Sequence, residues 1–184
     1  MSIPKEKLEQ YYTFEDWMSW DESVRAEIID GELVMMAPPI QKHQGALGEL
    51  FGQLWQFLRG KPCKVFPAPF GVRLLDGKDT VLEPDIIVVC DKSKLDGKVC
   101  NGAPDLVIEI LSPSTARQDR VVKFRLYLQA GVPEYWIVDP DAGHLQACVL
   151  ENGEYVTRMY DENDAVPVRA LEGCEISLRE VFGE

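Results

Sequence analysis

The 184-residue sequence lacks the long apolar run of a membrane protein. No stretch approaches the roughly 18 apolar residues that a spanning helix needs, so we expect no membrane partner. Residues 1–7 contain none of the apolar segment typical of a secretory signal, and a cytoplasmic location is expected. The chain also has no repeat, linker or low-complexity tract. Because a domain usually takes roughly 100–200 residues, we predict a single domain over residues 1–184.

The sequence is also poor in side chains that bind transition metals. Its five cysteines include no C-x-x-C pair, and with only two histidines they give no spacing typical of a zinc site. An odd number of cysteines in a cytoplasmic chain favours reduced thiols. We therefore expect reduced cysteines and no zinc site.

The sequence also has few basic residues relative to acidic ones. The chain has 19 Lys and Arg against 31 Asp and Glu, for a net charge of -12. This composition argues against tight, non-specific binding of nucleic acid, which normally needs a basic surface. The excess lies at the two ends, because residues 1–32 and 151–184 each hold nine acids and three bases. The neutral middle of the chain is therefore where a site for phosphate is expected.

The first half of the chain contains clear helix and strand patterns. Thr13 followed by Asp16 is typical of a helix N-terminus. Asp30-Gly31 between two apolar runs predicts a β-hairpin. Within residues 41–59, apolar side chains recur at helical spacing from Leu47 onwards, which predicts a helix packed against the core.

The second half alternates buried strands with a helix. Residues 85–90 and 105–111 are nearly continuous apolar runs, typical of strands covered on both faces. Residues 114–130 predict a helix that ends before Gly131, and Asn152-Gly153 predicts a hairpin. The fold class expected is α/β, with a mixed central β-sheet flanked by helices, an N-terminal hairpin and a C-terminal β-meander.

Two of these apolar strands carry a carboxylate. Asp85 opens the first strand, and Glu109 lies in the middle of the second. An isolated buried charge costs several kcal/mol unless something pairs with it. A hard cation such as Mg²⁺ binds one or two carboxylates, together with water and phosphate oxygens. The sequence therefore predicts Asp85 and Glu109 as metal ligands. The alternatives are that Asp85 starts the strand and accepts from nearby backbone donors, and that Glu109 pairs with an arginine in the core.

Three segments of the sequence resemble a known family. They are Glu83-Pro84-Asp85-Ile86-Ile87, residues 105–115 with Ser112-Pro113-Ser114-Thr115 at their end, and residues 131–140 with Pro133-Glu134-Tyr135-Trp136. They resemble the bacterial Uma-two family, formerly a domain of unknown function, in the PD-(D/E)XK restriction endonuclease-like superfamily. The resemblance runs from about Phe14 to the C-terminus. It implies a restriction endonuclease-like core and a nuclease that uses Mg²⁺, with Mn²⁺ as a substitute.

The superfamily pattern assigns roles to particular residues. A Pro-Asp pair and a downstream (Asp/Glu)-x-Lys supply two metal-binding carboxylates and a lysine, so the resemblance implies Asp85 and Glu109 as ligands. Leu111 stands where the lysine is expected. Some members carry the lysine on the following helix, which points to Lys123. The alternative is that Lys123 pairs with Asp119 on a solvated helix face.

Two further residues are weaker candidates. His43 begins the inward stripe of the predicted helix, and Glu32 follows the Asp-Gly turn. Either residue could add a metal ligand or a general base. The alternatives are a packed helix-start histidine and an exposed turn glutamate.

The function expected is metal-assisted hydrolysis of phosphodiester bonds. DNA is the first candidate partner, and the family resemblance is compatible with a homodimer. The type of nucleic acid stays open. A rival from another class is a catalytically inactive nuclease-fold module for binding or assembly, which Leu111 and the net charge of -12 favour.

Overall fold

The computed structural model describes residues 11–21, 23–74, 79–113 and 116–183. The α-helices in these ranges are α1 (Phe14–Ser19), α2 (Gln41–Leu58), α3 (Phe124–Ala130) and α4 (Leu178–Phe182). A 3₁₀ turn spans Lys92–Lys94, and a π-helical segment, Gln118–Lys123, leads directly into α3. The strands are β1 (Ala26–Ile29), β2 (Glu32–Met35), β3 (Lys64–Pro67), β4 (Gly71–Leu74), β5 (Thr80–Leu82), β6 (Ile86–Val89), β7 (Val99–Asn101), β8 (Leu106–Ile110), β9 (Glu134–Asp139), β10 (His144–Glu151), β11 (Glu154–Asp161), β12 (Ala165–Pro167) and β13 (Glu175–Ser177).

The strands form two main sheets. A six-stranded sheet has the order β11-β10-β9-β8-β6-β3, and a five-stranded sheet has the order β2-β1-β5-β4-β7. Parallel pairs (β8 with β9, β4 with β7) occur beside antiparallel ones, so the prediction of a mixed sheet flanked by helices is confirmed. β9, β10 and β11 form the predicted antiparallel meander. The N-terminal hairpin is present but belongs to the smaller sheet.

The local signals at the N-terminus act as predicted. The Thr13 side chain accepts a hydrogen bond from the backbone N–H of Asp16, and the Asp16 carboxylate accepts one from the Thr13 N–H, so α1 begins with a capping box. Asp30 and Gly31 both adopt positive φ, 50° and 81°, which is the geometry of a two-residue hairpin turn. The register pairs Ile29 with Glu32 across that turn.

The central strands are covered on both faces. Every residue of β6 and β8 is buried, as their continuous apolar patterns predicted. On one face α2 packs its inward stripe, including Leu50 and Leu54, against Ile86 and Leu106. On the other face lies a second cluster with Tyr127 of α3. Glu109, which is 3% exposed, therefore lies within an apolar sheet.

The helix predicted over 114–130 is π-helical in its middle. Residues 114 and 115 lie outside the described residues. The sequence Asp76-Gly77-Lys78-Asp79 also predicts a turn, and its residues 76–78 lie outside the described residues as well. The end is as predicted, since Gly131 adopts φ 75° and closes the helix. The π-helical turns carry the buried Asp119 and Lys123. Such segments are frequent at functional sites.

The prediction that all cysteines are reduced is wrong for one pair. Cys63 and Cys90 form a disulfide. The physical reason is register: β3 and β6 are antiparallel with Lys64 opposite Val89, so the two flanking cysteines lie opposite each other. The sequence hides this pairing because 27 residues separate the two cysteines. Cys100, Cys148 and Cys174 are free and buried.

Among the described helices, none is both long and apolar enough to cross a membrane.

Candidate active site

A cavity of about 360 Å³ brings together four of the five site residues predicted from the sequence. Asp85, Glu109, Lys123 and His43 all line it. The fifth, Glu32, is exposed at the start of β2 and is not among the lining residues. The walls come from the hairpin, α2, the β6 and β8 region and the π-helical segment.

The two predicted metal ligands are neighbours across antiparallel strands. β6 and β8 pair with Ile86 opposite Ile108, and continuing this register places Asp85 opposite Glu109. The backbone N–H of Ile110 donates to Asp85 Oδ2 at 2.7 Å, which fixes the carboxylate at the strand end. The Asp85 side chain is 15% exposed and can be reached from the cavity.

Glu109 is held through one of its two oxygens. Lys123 Nζ donates to Oε1 at 2.9 Å, and the Tyr127 hydroxyl donates to the same atom at 2.8 Å. Among the described residues nothing donates to Oε2, which leaves that oxygen available to a ligand. Burial raises the pKa of Glu109 well above its ordinary value, and the nearby carboxylates add to the effect while Lys123 opposes it.

Lys123 lies at the centre of a cluster of carboxylates. Its Nζ is 2.8 Å from Glu27 Oε1, 2.9 Å from Glu109 Oε1 and 3.6 Å from Asp119 Oδ1. Burial alone would lower the pKa of Lys123, but the three carboxylates raise it well above its ordinary value. Because Lys123 and Asp119 are both buried, the alternative of a pair on a solvated helix face is wrong.

His43 contacts the site through Asp85. Its Nε2 lies 3.2 Å from the Asp85 carboxylate. Burial lowers the pKa of His43, but the hydrogen bond and the charge of Asp85 outweigh it, and the net shift is upward. Within the described part of the chain, the buried Nδ1 has no hydrogen-bond partner.

Sequence reasoning missed Glu27 as a site residue. Glu27 is 2% exposed in β1, where it contacts Lys123 and also accepts a hydrogen bond from the Glu83 backbone N–H at 3.0 Å. The signal was present, because Glu27 precedes Ile28-Ile29 as a carboxylate in an apolar strand. Its partner Lys123 lies 96 positions later in the printed sequence, so only the fold reveals the contact.

An ion pair between Arg25 and Glu83 at the cavity was also missed. Arg25 Nε is 3.2 Å from Glu83 Oε2, and both residues line the cavity. Burial raises the pKa of Glu83, while Arg25 opposes the shift. The Glu83 carboxylate is therefore satisfied by Arg25 rather than free for a ligand.

The donor set of the cavity fits a hard divalent cation. Five carboxylates line it, against the cations Arg25 and Lys123, so negative charge is in excess; these acids are Glu27, Glu83, Asp85, Glu109 and Asp119. In the described ranges no group of three or more Asp, Glu, His or Cys side chains could enclose a metal ion. Mg²⁺ does not require such a group, because it usually takes one or two carboxylates and completes its shell with water and substrate phosphate. Asp85 and Glu109 are the pair that fits this pattern.

The sequence matches the model of the Uma2 family, described as "Putative restriction endonuclease", over residues 8–179. The chain belongs to the Uma2 family. This Uma2 protein is 24% identical over 165 residues to uncharacterized protein slr1290 of Synechocystis sp. (strain ATCC 27184 / PCC 6803 / Kazusa), a match that covers 85% of this chain and 84% of the relative. The family resemblance drawn from the sequence is confirmed.

A solved structure has the same fold as this Uma2 protein. It is described as a putative nuclease belonging to DUF820 from Anabaena variabilis ATCC 29413. The two structures superpose with a TM-score of 0.76 at 20% identity, over 93% of this chain and 97% of the other. At that identity the likeness establishes the fold, and the prediction of a restriction endonuclease-like fold is confirmed.

Proposed function

We propose that this Uma2 protein is a metal-dependent nuclease of the PD-(D/E)XK type, which hydrolyses phosphodiester bonds in nucleic acid with Mg²⁺ or Mn²⁺. The observation that carries the proposal is the juxtaposition of Asp85 and Glu109 on neighbouring strands, with the Lys123 ammonium 2.9 Å from Glu109. All three side chains line one cavity.

Asp85 and Glu109 are the residues that would hold the cation. A Mg²⁺ held there would supply positive charge to polarise the scissile phosphate and to lower the pKa of a water molecule. The Ile110 N–H keeps the Asp85 carboxylate oriented, and Lys123 and Tyr127 keep Glu109 oriented, before any ligand arrives. This preorganisation is what makes charged groups effective in a largely buried site.

Lys123 acts as a donor of charge rather than as a base. Its raised pKa keeps the ammonium protonated at neutral pH, so it stabilises negative charge that develops on the phosphate or orients the attacking water. Leu111, which stands where the family pattern expects the lysine, is buried in the apolar cluster that includes Tyr127 of α3. In this proposal the lysine role is taken by Lys123 of the π-helical segment instead.

His43 is a positioning residue in this proposal. Its Nε2 contacts the Asp85 carboxylate, and its ring is itself buried. It therefore restricts the rotation of Asp85 and would help to keep the carboxylate oriented for a bound cation. We assign no role in the reaction to Glu32, because its side chain is exposed outside the cavity.

Calorimetric titration with Mg²⁺ and Mn²⁺ tests the metal site. We expect the wild-type protein to bind the cation and Asp85→Asn to bind it at least about 10-fold more weakly, because one anionic ligand is lost. The control is Asp141→Asn, which changes an exposed aspartate paired with Lys42 and should bind as the wild type does. Equal affinity of Asp85→Asn and the wild type would refute the site.

Turnover is tested separately by Mn²⁺-dependent cleavage of plasmid and single-stranded DNA. We expect cleavage by the wild type and a loss of at least about 100-fold in Lys123→Met, because one donor of transition-state stabilisation is removed. Metal binding without any cleavage would instead favour the inactive binding module.

A further inference from the structure

The cavity has two chemically different walls. One wall carries the carboxylates and Lys123. The other, the apolar wall, comes from β2, the segment after it and α2, and consists of Val34, Met35, Met36, Ala37, Pro38, Pro39 and Leu47. Met35 is 58% exposed, so this wall is open to a ligand. An apolar surface of this kind beside a charged site is suited to a ligand with one flat apolar part and one anionic part.

The size of the cavity limits which part of a nucleic acid can enter it. A volume of about 360 Å³ is in the range of pockets that enclose a small molecule. In a double helix the bases are stacked and paired inside the duplex, so a base face can reach a pocket only where the base is unstacked. Filling both walls at once therefore requires an unstacked base, which a single strand supplies without the free-energy cost of extruding that base from a duplex.

The charges around the cavity do not favour a duplex. Most basic side chains on the surrounding elements already form ion pairs. These pairs are Arg25 with Glu83 at 3.2 Å, Lys42 with Asp141 at 3.1 Å, and Arg120 with Asp139 at 3.1 Å. Lys123 is buried among carboxylates. Arg117, beside the cavity-lining Gln118, forms no ion pair with the described residues. Among the residues that the structure describes around the cavity, this supply of cations allows about one or two contacts to phosphate, whereas duplex-binding proteins often make about 6–10.

We propose that the substrate is single-stranded nucleic acid, one nucleotide of which enters the cavity with its base against the apolar wall. Its phosphate then lies toward Asp85 and Glu109. This inference rests on the proposed nuclease function and adds the substrate class. It also fits the net charge of -12, because affinity comes from apolar contact and the metal site rather than from a basic surface.

Comparison of cleavage rates tests the substrate class. Using Mn²⁺, kcat/KM is measured on a labelled 20-nucleotide DNA strand, its RNA equivalent and the blunt DNA duplex of the same sequence. We expect at least one of the single strands to be cleaved about 10-fold or more faster than the duplex. Between 50 and 200 mM salt, kcat/KM on the single strand should fall only roughly 3- to 7-fold, as one or two phosphate contacts imply.

A matched pair of variants tests the apolar wall. Met35→Gln should raise KM for the single strand roughly 3- to 10-fold with kcat unchanged, because it replaces apolar contact with a polar group of similar size. Met159→Gln is the control, since Met159 is also 58% exposed but lies on β11, outside the cavity. Its KM should match that of the wild type.

Three outcomes overturn the inference. Equal or faster cleavage of the duplex overturns the substrate class and leaves the nuclease function standing. A Met35→Gln variant whose KM equals that of the wild type overturns the placement of the base against the apolar wall and also leaves the nuclease function standing. Failure to cleave any of the three substrates overturns the nuclease function as well.

Discussion

Lys123 determines much of the chemistry at the residue scale. A buried ammonium is stable only when paired, and here Glu27, Glu109 and Asp119 surround one charge. Three carboxylates against one ammonium leave an excess of negative charge that a divalent cation would offset. Glu27 therefore contributes to the site in two ways, because it holds the Lys123 ammonium in place and adds to the negative field that would attract a cation.

Two glutamates of the same hairpin provide a sharp test of this view. Glu27→Gln keeps the shape of the side chain but removes one charge from the Lys123 cluster, so we expect kcat to fall about 10-fold or more with KM within about twofold. Glu32→Gln changes an exposed residue of the next strand and should leave both constants within about twofold. Steady-state cleavage kinetics measure both variants. A Glu27→Gln enzyme as fast as the wild type would contradict the role of Glu27.

At the scale of elements, glycines in two settings have opposite effects. Gly48 lies in the interior of α2, and a Cβ added there would meet nothing within 4 Å. Gly71 in β4 lies against α1, where an added Cβ would come 2.6 Å from Trp17 and 2.9 Å from Val99. Gly48 therefore lowers the stability of α2 although no close contact requires a glycine there, whereas Gly71 permits the close packing of Trp17 on β4.

Urea denaturation should separate these two glycines. We expect Gly48→Ala to raise the free energy of unfolding by about 0.5–1 kcal/mol, because alanine is the better helix former. Gly71→Ala should lower it by about 1–3 kcal/mol, because the ring of Trp17 has to move. Destabilisation by Gly48→Ala would mean that something packs closely on that face of α2.

Local patterns were sufficient to predict most elements but not their long-range partners. The stripe from Leu47 to Leu58 predicted α2, and the Asp30-Gly31 pair predicted the hairpin, because both signals lie within a few residues. The pairing of β1 with β5 joins Ile28 to Val81, and no short-range pattern specifies it. This pairing places the hairpin in the smaller sheet.

The candidate site was predictable to the same extent. Asp85 and Glu109 stood out because each is a charge in an apolar strand, and the family pattern indicated Lys123. Glu27 was missed because it lies in a short strand of the hairpin, and the sequence of that strand is also compatible with an exposed glutamate. The ion pair between Arg25 and Glu83 was missed because it joins residues 58 positions apart.

At the scale of the whole molecule, the reactivity of the cysteine thiols depends on the fold. Two of the described cysteines form a disulfide, and the other three are free and buried. Burial raises the pKa of Cys100, Cys148 and Cys174 to about 11 in each case. A raised thiol pKa means that the reactive thiolate is scarce up to about pH 9 in the native protein and becomes populated only as the pH approaches 11.

Counting thiols with a chromogenic disulfide reagent at pH 8 tests this arrangement. We expect almost no rapid reaction in the native protein, three thiols after denaturation, and all five after denaturation and reduction. Cys63→Ser combined with Cys90→Ser serves as the control and should give three thiols with or without reductant. Five reactive thiols in the denatured, unreduced protein would contradict the disulfide.

The proposed nuclease site requires Asp85 and Glu109 to hold a divalent cation jointly. Its most direct test is a crystal structure of the protein soaked in Mn²⁺, with anomalous difference density used to locate the metal. We expect a peak about 2.1 Å from an oxygen of each carboxylate, with the Lys123 ammonium on the same side of the cavity. Crystals with no Mn²⁺ between these two carboxylates, including crystals that bind it only elsewhere in the molecule, would contradict the proposed site.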